Sequence, residues 1–160
     1  VGVYTTPFFT DENDQPVSYQ GTLYVSDNDA TRYRISPFID NEGDGLVFTW
    51  DEETNVITFD EVETGYVHPS YGMIYACDMK TWNPENTEES YYDEDTNTFH
   101  FATKYYVAQG GFDYAGEETF VLTGRASAPK RAASVSNGSK NVRMQLAYKQ
   151  LKRVTADPIR

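Results

Sequence analysis

Two stretches of the chain, WDEETNVITF at residues 50–59 and YDEDTNTFHF at residues 92–101, share one pattern. Each has an Asp, two more acidic residues and Thr-Asn between residues that alternate apolar and polar, which is typical of two strands joined by a tight turn. Asp51 and Asp93 can accept backbone N–H bonds two residues further on, and Asn55 and Asn97 can adopt the left-handed conformation that closes the turn. Both stretches are therefore predicted to be β-hairpins.

The acidic residues of these hairpins admit a second interpretation, a catalytic carboxylate pair. Catalytic acids need a sheltered site that shifts their pKa, whereas a hairpin tip is open to solvent, so turn chemistry is the preferred interpretation. Residues 1–124 contain 24 acidic side chains, and some pair among so many falls by chance at the separation that glycoside hydrolases use. The abundance of carboxylates therefore indicates nothing about catalysis.

Short alternating segments, separated by clusters of Asp, Asn, Gly, Pro or Glu, follow one another along residues 1–124. Aromatic residues make up 15% of the chain, while the helix formers Ala and Leu are sparse, which favours sheets. The predicted fold class is all-β, an antiparallel meander of about ten strands that forms a β-sandwich or a flattened barrel. TFHFATKYYVA is read as one strand, in which His100, Lys104 and Tyr106 face away from the core. Its predicted core face consists of Phe99, Phe101, Tyr105 and Val107.

Charge divides the chain into an acidic β domain at residues 1–124, a linker at 125–141 and a basic C-terminal strand and tail at 142–160. The first part has 24 acidic and four basic residues, whereas residues 125–160 have nine basic residues and Asp157 as their one acid. A body this negative repels phosphates, so nucleic acid is not expected as its partner. Residues 142–151 are predicted to form a terminal strand, either in the sheet of this domain or in that of a neighbour.

The few residues suited to catalysis lack the neighbours that catalysis needs. Cys77 alternates with apolar residues in GMIYACDM, so a buried side chain is preferred over a nucleophile. His68 and Ser70 lie in a turn-like stretch without a nucleophile elbow, and neither histidine has a second ligand at zinc spacing. The protein is therefore predicted not to be an enzyme. No apolar run approaches the length of a membrane span, so no transmembrane segment is predicted.

One acidic turn, DNEGDG at residues 40–45, approaches the oxygen spacing of a calcium loop. Asp40, Glu42 and Asp44 supply carboxylates at alternate positions, and a glycine follows to turn the chain. The fit is imperfect, because Glu42 is longer than the usual Asp and the twelfth place holds Asp51 instead of a bidentate Glu. Calcium is therefore one expectation for this turn, and a solvated acidic turn without any cofactor is the other.

Two aromatic residues in irregular polar stretches are the candidates for ligand binding. Trp82 lies in KTWNPENTEES, residues 80–90, and Tyr71 lies between Pro and Gly in HPSYG, residues 68–72. Proteins that hold sugars stack flat aromatic rings against the C–H faces of the sugar and surround them with polar side chains. Trp82 is expected to be at least partly exposed to solvent beside the ligand surface. Either ring can instead pack its loop onto the core, so the sequence leaves both interpretations open.

About two thirds of the chain, residues 18–124, carries motifs that include TWDEETN, TGYVHPSYG and YYDEDTNTFHF. In these motifs the chain resembles a β-rich module of surface lipoproteins of gut Bacteroidetes, often found near glycan-utilisation machinery. The resemblance implies an extracytoplasmic, cell-surface or outer-membrane location and contact with polysaccharide or a surface protein. It implies no catalytic residues, and the chain has no lipobox cysteine.

The sequence thus favours a non-enzymatic surface module that binds glycan or assists a surface glycan-uptake complex. The alternative is a structural or adhesive β domain with no small ligand. The oligomeric state does not follow from the sequence.

Overall fold

Both Asp-Asn turns form as the sequence predicts, and each joins two antiparallel strands. Asn55 and Asn97 adopt positive φ angles of 63° and 54°. The side chains of Asp51 and Asp93 each accept a hydrogen bond of 2.9 Å from the backbone N–H two residues further on. The two hairpins are therefore confirmed as turn chemistry, and their acidic residues lie at exposed or half-buried tips.

The computed structural model describes residues 1–123 and the backbone of Lys130–Arg131. The predicted tail at 142–160, with its strand at 142–151, lies outside the described residues, as does most of the predicted linker at 125–141. The described residues form 13 strands and one helical turn. In chain order these are β1 (Gly2–Thr10), β2 (Pro16–Val25), β3 (Arg32–Ser36), β4 (Leu46–Asp51), β5 (Val56–Thr58), β6 (Val62–His68), β7 (Gly72–Asp78), α1 (Met79–Trp82), β8 (Ser90–Asp93), β9 (Thr98–Phe101), β10 (Thr103–Val107), β11 (Gly110–Gly111), β12 (Glu118–Leu122) and β13 (Lys130–Arg131).

Eight of the described strands close into an antiparallel barrel. Their order around the barrel is β1, β12, β9, β8, β5, β4, β3 and β2, and β2 pairs again with β1. The short β13 adds to β2 in parallel, opposite Tyr24 and Val25. An eight-stranded barrel is just wide enough for side chains to fill its interior. The fully buried side chains include Tyr4, Phe48, Phe99, Phe101, Phe120, Ile35 and Leu46.

Phe120 shows how tightly the barrel interior is packed. Its ring lies against Gly2 and Gly21, where an added Cβ would stand 2.7 Å and 3.4 Å from ring atoms of Phe120. Glycine at these two places on β1 and β2 therefore leaves the space that the ring occupies.

The remaining described strands form a second, four-stranded sheet in the order β11, β10, β7 and β6. The all-β class and the sandwich or barrel architecture are confirmed, but the simple meander order holds only from β1 to β5. After β5 the chain enters the second sheet through β6 and β7, returns to the barrel for β8 and β9, and leaves it again for β10 and β11.

One predicted strand is divided between the two sheets. TFHFATKYYVA, read as one strand from the sequence, forms β9 of the barrel and β10 of the four-stranded sheet, separated at Ala102. Phe99, Phe101, Tyr105 and Val107 are all buried, so the predicted core face is confirmed. The alternation of side chains is local and continues through the bend, whereas the choice of pairing partner depends on distant strands.

Candidate functional site

Trp82 projects from α1, a single helical turn that is anchored to both sheets. Met79 N donates to Ala102 O at 2.8 Å, Thr81 Oγ1 donates to Phe59 O at 2.9 Å, and the side-chain amide of Asn86 donates to Met79 O at 2.8 Å. These contacts position the Trp82 backbone, yet 45% of the residue is exposed. The partial exposure of Trp82 predicted from the sequence is confirmed, although its backbone belongs to a helical turn and not to an irregular loop.

The Trp82 ring begins a row of three aromatic side chains on the outer face of the four-stranded sheet. Its centroid lies 5.1 Å from that of Tyr106, at an interplanar angle of 40°. Tyr106 lies 5.7 Å from Tyr75, at an angle of 25°, and the two tyrosines are directly opposite on β10 and β7. We call Tyr75, Trp82 and Tyr106 the aromatic face. Both tyrosines are half-buried, so solvent reaches all three residues.

Lys104 and Gly111 hold Trp82 at one end of the aromatic face. The Lys104 ammonium lies 5.4 Å from the centroid of the Trp82 ring and donates to Phe112 O at 2.5 Å. A Cβ at Gly111 would stand 2.6 Å from Lys104 Cε and 3.2 Å from Trp82 Cζ2. The missing side chain at Gly111 therefore lets Lys104 and Trp82 lie close over β11.

Carboxylates border the aromatic face on its other side. Glu61 Oε2 accepts a hydrogen bond of 2.5 Å from the Tyr106 hydroxyl, and burial together with this bond raises the pKa of Tyr106. Glu63 is exposed and lies opposite Tyr75 on the neighbouring strand, so both side chains are on the same face of the sheet. The face combines aromatic rings with hydrogen-bond acceptors, which are the groups that sugar recognition uses.

Cys77 lies opposite Lys104 at the inner end of this surface, and it is buried. Burial, with the nearby charges of Asp78 and Glu61, raises the pKa of its thiol to about 12. The group is therefore a thiol and not a thiolate at neutral pH, and the predicted structural role of Cys77 is supported.

Tyr71, the second predicted ligand residue, is not brought to the aromatic face. It precedes β7, whereas Trp82 follows that strand, and a strand of seven residues is roughly 20 Å long. The Tyr71 ring packs against the core, with its centroid 4.8 Å from that of His68. The structure thus separates two aromatics that the sequence suggested for the same purpose, because turn composition does not say which end of the sheet a turn occupies.

His68 organises the turn that holds Tyr71. Its Nδ1 accepts hydrogen bonds from Ser70 N at 3.0 Å and from Tyr71 N at 3.2 Å. Both donors are backbone amides, so Nδ1 stabilises the turn. The prediction that His68 and Ser70 lie in a turn is confirmed.

The acidic turn at residues 40–45 is organised by Asn41. Its side-chain oxygen accepts from Gly43 N at 3.1 Å, and its side-chain nitrogen donates to Glu63 O at 2.8 Å. Asp40, Glu42 and Asp44 are exposed around this centre. Within residues 1–123, no three His, Cys, Asp or Glu side chains converge as a metal site would require. Calcium binding by these three residues stays a prediction.

Glu118 is a buried carboxylate that joins the two sheets. Oε1 accepts from the Tyr4 hydroxyl at 2.5 Å, and Oε2 accepts from the hydroxyls of Thr6 and Tyr105, also at 2.5 Å. Tyr4 and Thr6 belong to β1 of the barrel, while Tyr105 belongs to β10 of the four-stranded sheet. Burial raises the pKa of Glu118, and the hydroxyl donors oppose that rise.

The sequence patterns did not identify Glu118 as the residue that joins the two sheets, or Tyr75 and Tyr106 as members of the aromatic face. A signal for Glu118 existed, because it alternates with Phe120 in ETFVL and so shares the core face of its strand. Tyr106 was predicted to face away from the core, but its neighbour Tyr75 is known only once β7 is paired with β10.

Comparison with known proteins gives no match, since no family model, curated protein or solved structure is significantly similar to the chain. Within residues 1–123, no helix has the length and apolar character needed to span a bilayer. The function proposed for this domain therefore rests on the chemistry of its own surfaces.

Proposed function

We propose that this domain is a non-enzymatic, extracytoplasmic module that binds glycan through the aromatic face. It would act at a bacterial surface, either by itself or as part of a complex that takes up polysaccharide. The observation that carries the proposal is the exposed Trp82 ring, held on an anchored helical turn and continued across the sheet by Tyr106 and Tyr75.

Prior positioning of the ring favours binding. An exposed indole is normally free to change rotamer, and immobilising it on a ligand costs conformational entropy. Here Tyr106 and the Lys104 side chain contact the Trp82 ring before any ligand arrives. Folding has therefore already ordered the Trp82 side chain, and a sugar that binds the ring does not have to supply this conformational entropy.

The distribution of unusual carboxylates favours binding over catalysis. Within residues 1–123, burial raises the pKa of three carboxylates. Asp78 and Glu118 are enclosed among core residues, and Asp40 lies in the acidic turn at residues 40–45. A catalytic acid must reach the substrate within hydrogen-bond distance. The carboxylates that border the aromatic face, Glu61 and Glu63, are exposed, whereas a catalytic acid needs a sheltered site.

The location at the cell surface has a separate basis. It rests on the resemblance of TWDEETN, TGYVHPSYG and YYDEDTNTFHF to the module of Bacteroidetes surface lipoproteins, which also suggests a polysaccharide or a surface protein as partner. Protease treatment of intact cells that produce the full-length protein tests this part independently. Digestion of the domain without lysis is the expected result, and protection until lysis would contradict it.

The binding test is an affinity gel and calorimetric screen of the domain against soluble polysaccharides. Trp82→Ala should weaken the best interaction at least about tenfold, because stacking on the ring is lost. Tyr91→Ala is the matched control, since Tyr91 is a similarly exposed aromatic, 39% accessible, on β8 of the barrel. It should leave the affinity unchanged.

Two results would overturn the proposal. If Tyr91→Ala weakens binding as much as Trp82→Ala, the aromatic face is not the site. If the folded domain retains no polysaccharide at all, the structural or adhesive domain becomes the better account, and a surface protein becomes the partner to seek.

A further inference from the structure

Negative charge dominates the border of the aromatic face. Glu61 holds the Tyr106 hydroxyl, and Glu63 is exposed opposite Tyr75. Asp60 lies nearby as well, because its charge and that of Glu61 both act on the Cys77 thiol. Any ligand of the face therefore meets several carboxylates at once.

The basic side chains in the same region already have partners. Lys80 Nζ lies 4.0 Å from Glu89 Oε2. The Lys104 ammonium is held by Phe112 O and the Trp82 ring. Arg32 and Arg34, the other two basic residues of residues 1–123, lie on β3 of the barrel. Among residues 1–123, three carboxylates therefore lie near the face, those of Asp60, Glu61 and Glu63, against one ammonium, that of Lys104, which has no acidic partner there. The balance of charge at the face is negative.

Lys104 also shows what kind of group this surface accommodates. Its ammonium lies over an aromatic ring and donates to an oxygen acceptor, the arrangement by which proteins recognise amines. Glu61 can accept further bonds while it holds Tyr106, because an ionised carboxylate has about four acceptor positions. Aromatic rings next to free carboxylate acceptors thus suit a second, external cation.

We propose that the ligand of the aromatic face is a glycan that carries protonated amino groups, such as a deacetylated amino-sugar polymer. The inference rests on the proposed function, glycan binding by this face, and adds the charge of the ligand. A protonated amine is attracted to the aromatic rings and forms stronger hydrogen bonds with carboxylates than a neutral hydroxyl does. A glycan with carboxylates or sulfates in the same positions would be repelled by Glu61 and Glu63.

The test compares β-1,4-linked oligosaccharides of equal length that differ at one substituent: glucosamine, N-acetylglucosamine and glucose. Calorimetry at about pH 6, where the glucosamine amine is protonated, should give the glucosamine oligomer at least about tenfold tighter binding than the other two. Raising the salt concentration should reduce this preference, because exposed charges are screened. Binding of all three should weaken in Trp82→Ala.

Two double variants test whether Glu61 and Glu63 cause the preference for the protonated amine. The double variant E61Q/E63Q keeps one acceptor oxygen at each position but removes both charges, and it should reduce the preference for the amine to less than about threefold. The control E12Q/E53Q removes two exposed charges elsewhere and should leave the preference intact. This control is needed because the body carries 24 acidic residues and attracts any polycation weakly.

The outcomes separate the two proposals. Equal affinity for the three oligosaccharides, with loss in Trp82→Ala, would overturn the preference for amines and leave glycan binding standing. Tight binding of the glucosamine oligomer that survives in Trp82→Ala, or that falls equally in both double variants, would mean unspecific attraction and would also overturn the inference. Absence of binding to these oligosaccharides and to every polysaccharide in the wider screen would remove the proposed function itself.

Discussion

The barrel and the four-stranded sheet distribute their aromatic residues differently. In the barrel most of the large rings point inward, and its outside bears single aromatics such as Tyr91 and hydroxyl pairs such as Thr5 and Ser18, whose oxygens are 2.8 Å apart. In the four-stranded sheet one face is buried while the other bears Tyr75 and Tyr106 beside Trp82. A closed barrel must fill its interior, so its rings serve stability. The outer face of the second sheet has no such need, and its rings are available for a ligand.

The largest effect is expected in the barrel. Phe120→Ala removes a fully buried ring that packs against Gly2 and Gly21, and it should cost about 4 kcal/mol of unfolding free energy, because burial is lost and a cavity remains. Urea unfolding followed by tyrosine and tryptophan fluorescence measures the cost. A loss below about 1 kcal/mol would mean that the barrel interior is not the main source of stability.

The junction of the two regions comes next. Glu118→Leu leaves the buried hydroxyls of Tyr4, Thr6 and Tyr105 without their acceptor and should cost about 3 kcal/mol. Hydrogen exchange in the folded variant should quicken most at β10 and β7, because the cluster ties that sheet to the barrel. Equal acceleration throughout the barrel would show that the two sheets unfold only as one unit.

A pH-dependent effect is expected at Asp78, which ends β7 and accepts a bond of 3.1 Å from Ser90 on β8. Burial raises the pKa of Asp78 to about 6 from its ordinary value of 3.8, so the folded state binds the proton more tightly than the unfolded state. Stability from this group is therefore present below about pH 4 and is lost as the pH rises to about 6.

Asp78→Asn removes the titration but keeps an oxygen for Ser90. Relative to the variant, the wild-type domain should lose about 2 kcal/mol between pH 4 and pH 7. Urea unfolding at several pH values measures the difference, and Asp95→Asn at an exposed hairpin tip is the control. A difference between wild type and Asp78→Asn that does not vary with pH would show that Asp78 has an ordinary pKa in the fold.

The smallest effect on stability is expected at the aromatic face. Trp82 is 45% exposed, so Trp82→Ala should change the unfolding free energy by less than about 1 kcal/mol, although the same variant should weaken glycan binding. Thermal unfolding beside the binding measurement provides both numbers. A stability loss close to that of Phe120→Ala would show that Trp82 stabilises the fold as a core residue does. The aromatic face and the barrel interior would then not differ in their contribution to stability.

Local features of the fold followed from the sequence. The Asp-x-x-Thr-Asn pattern predicted both hairpins because a turn is decided by the residues within it, and the positive φ angles of Asn55 and Asn97 confirm this. Alternation likewise predicted the buried face of Phe99, Phe101, Tyr105 and Val107. The division of that stretch between two sheets was missed, because nothing near Ala102 specifies which distant strand each half will pair with.

The candidate site was predictable only in part. A large aromatic in a polar stretch indicated Trp82, and its exposure is confirmed, but the same reasoning selected Tyr71, which packs against the core. Tyr71 and Trp82 lie at opposite ends of β7, a separation that depends on the path of the strand and not on the composition of either turn.

The sequence by itself determined the all-β class, the two hairpins, the core face of the stretch TFHFATKYYVA and the charge of the domain, since these depend on residue type and on spacing along the chain. Tertiary structure decided the closure of the barrel and the division between the two sheets. It also determined that Tyr75 packs beside Tyr106 and that Glu118 accepts hydrogen bonds from residues of β1 and β10. Those contacts join residues far apart in sequence, and they form because a closed barrel and a sheet packed on it bury more apolar surface than separate hairpins can.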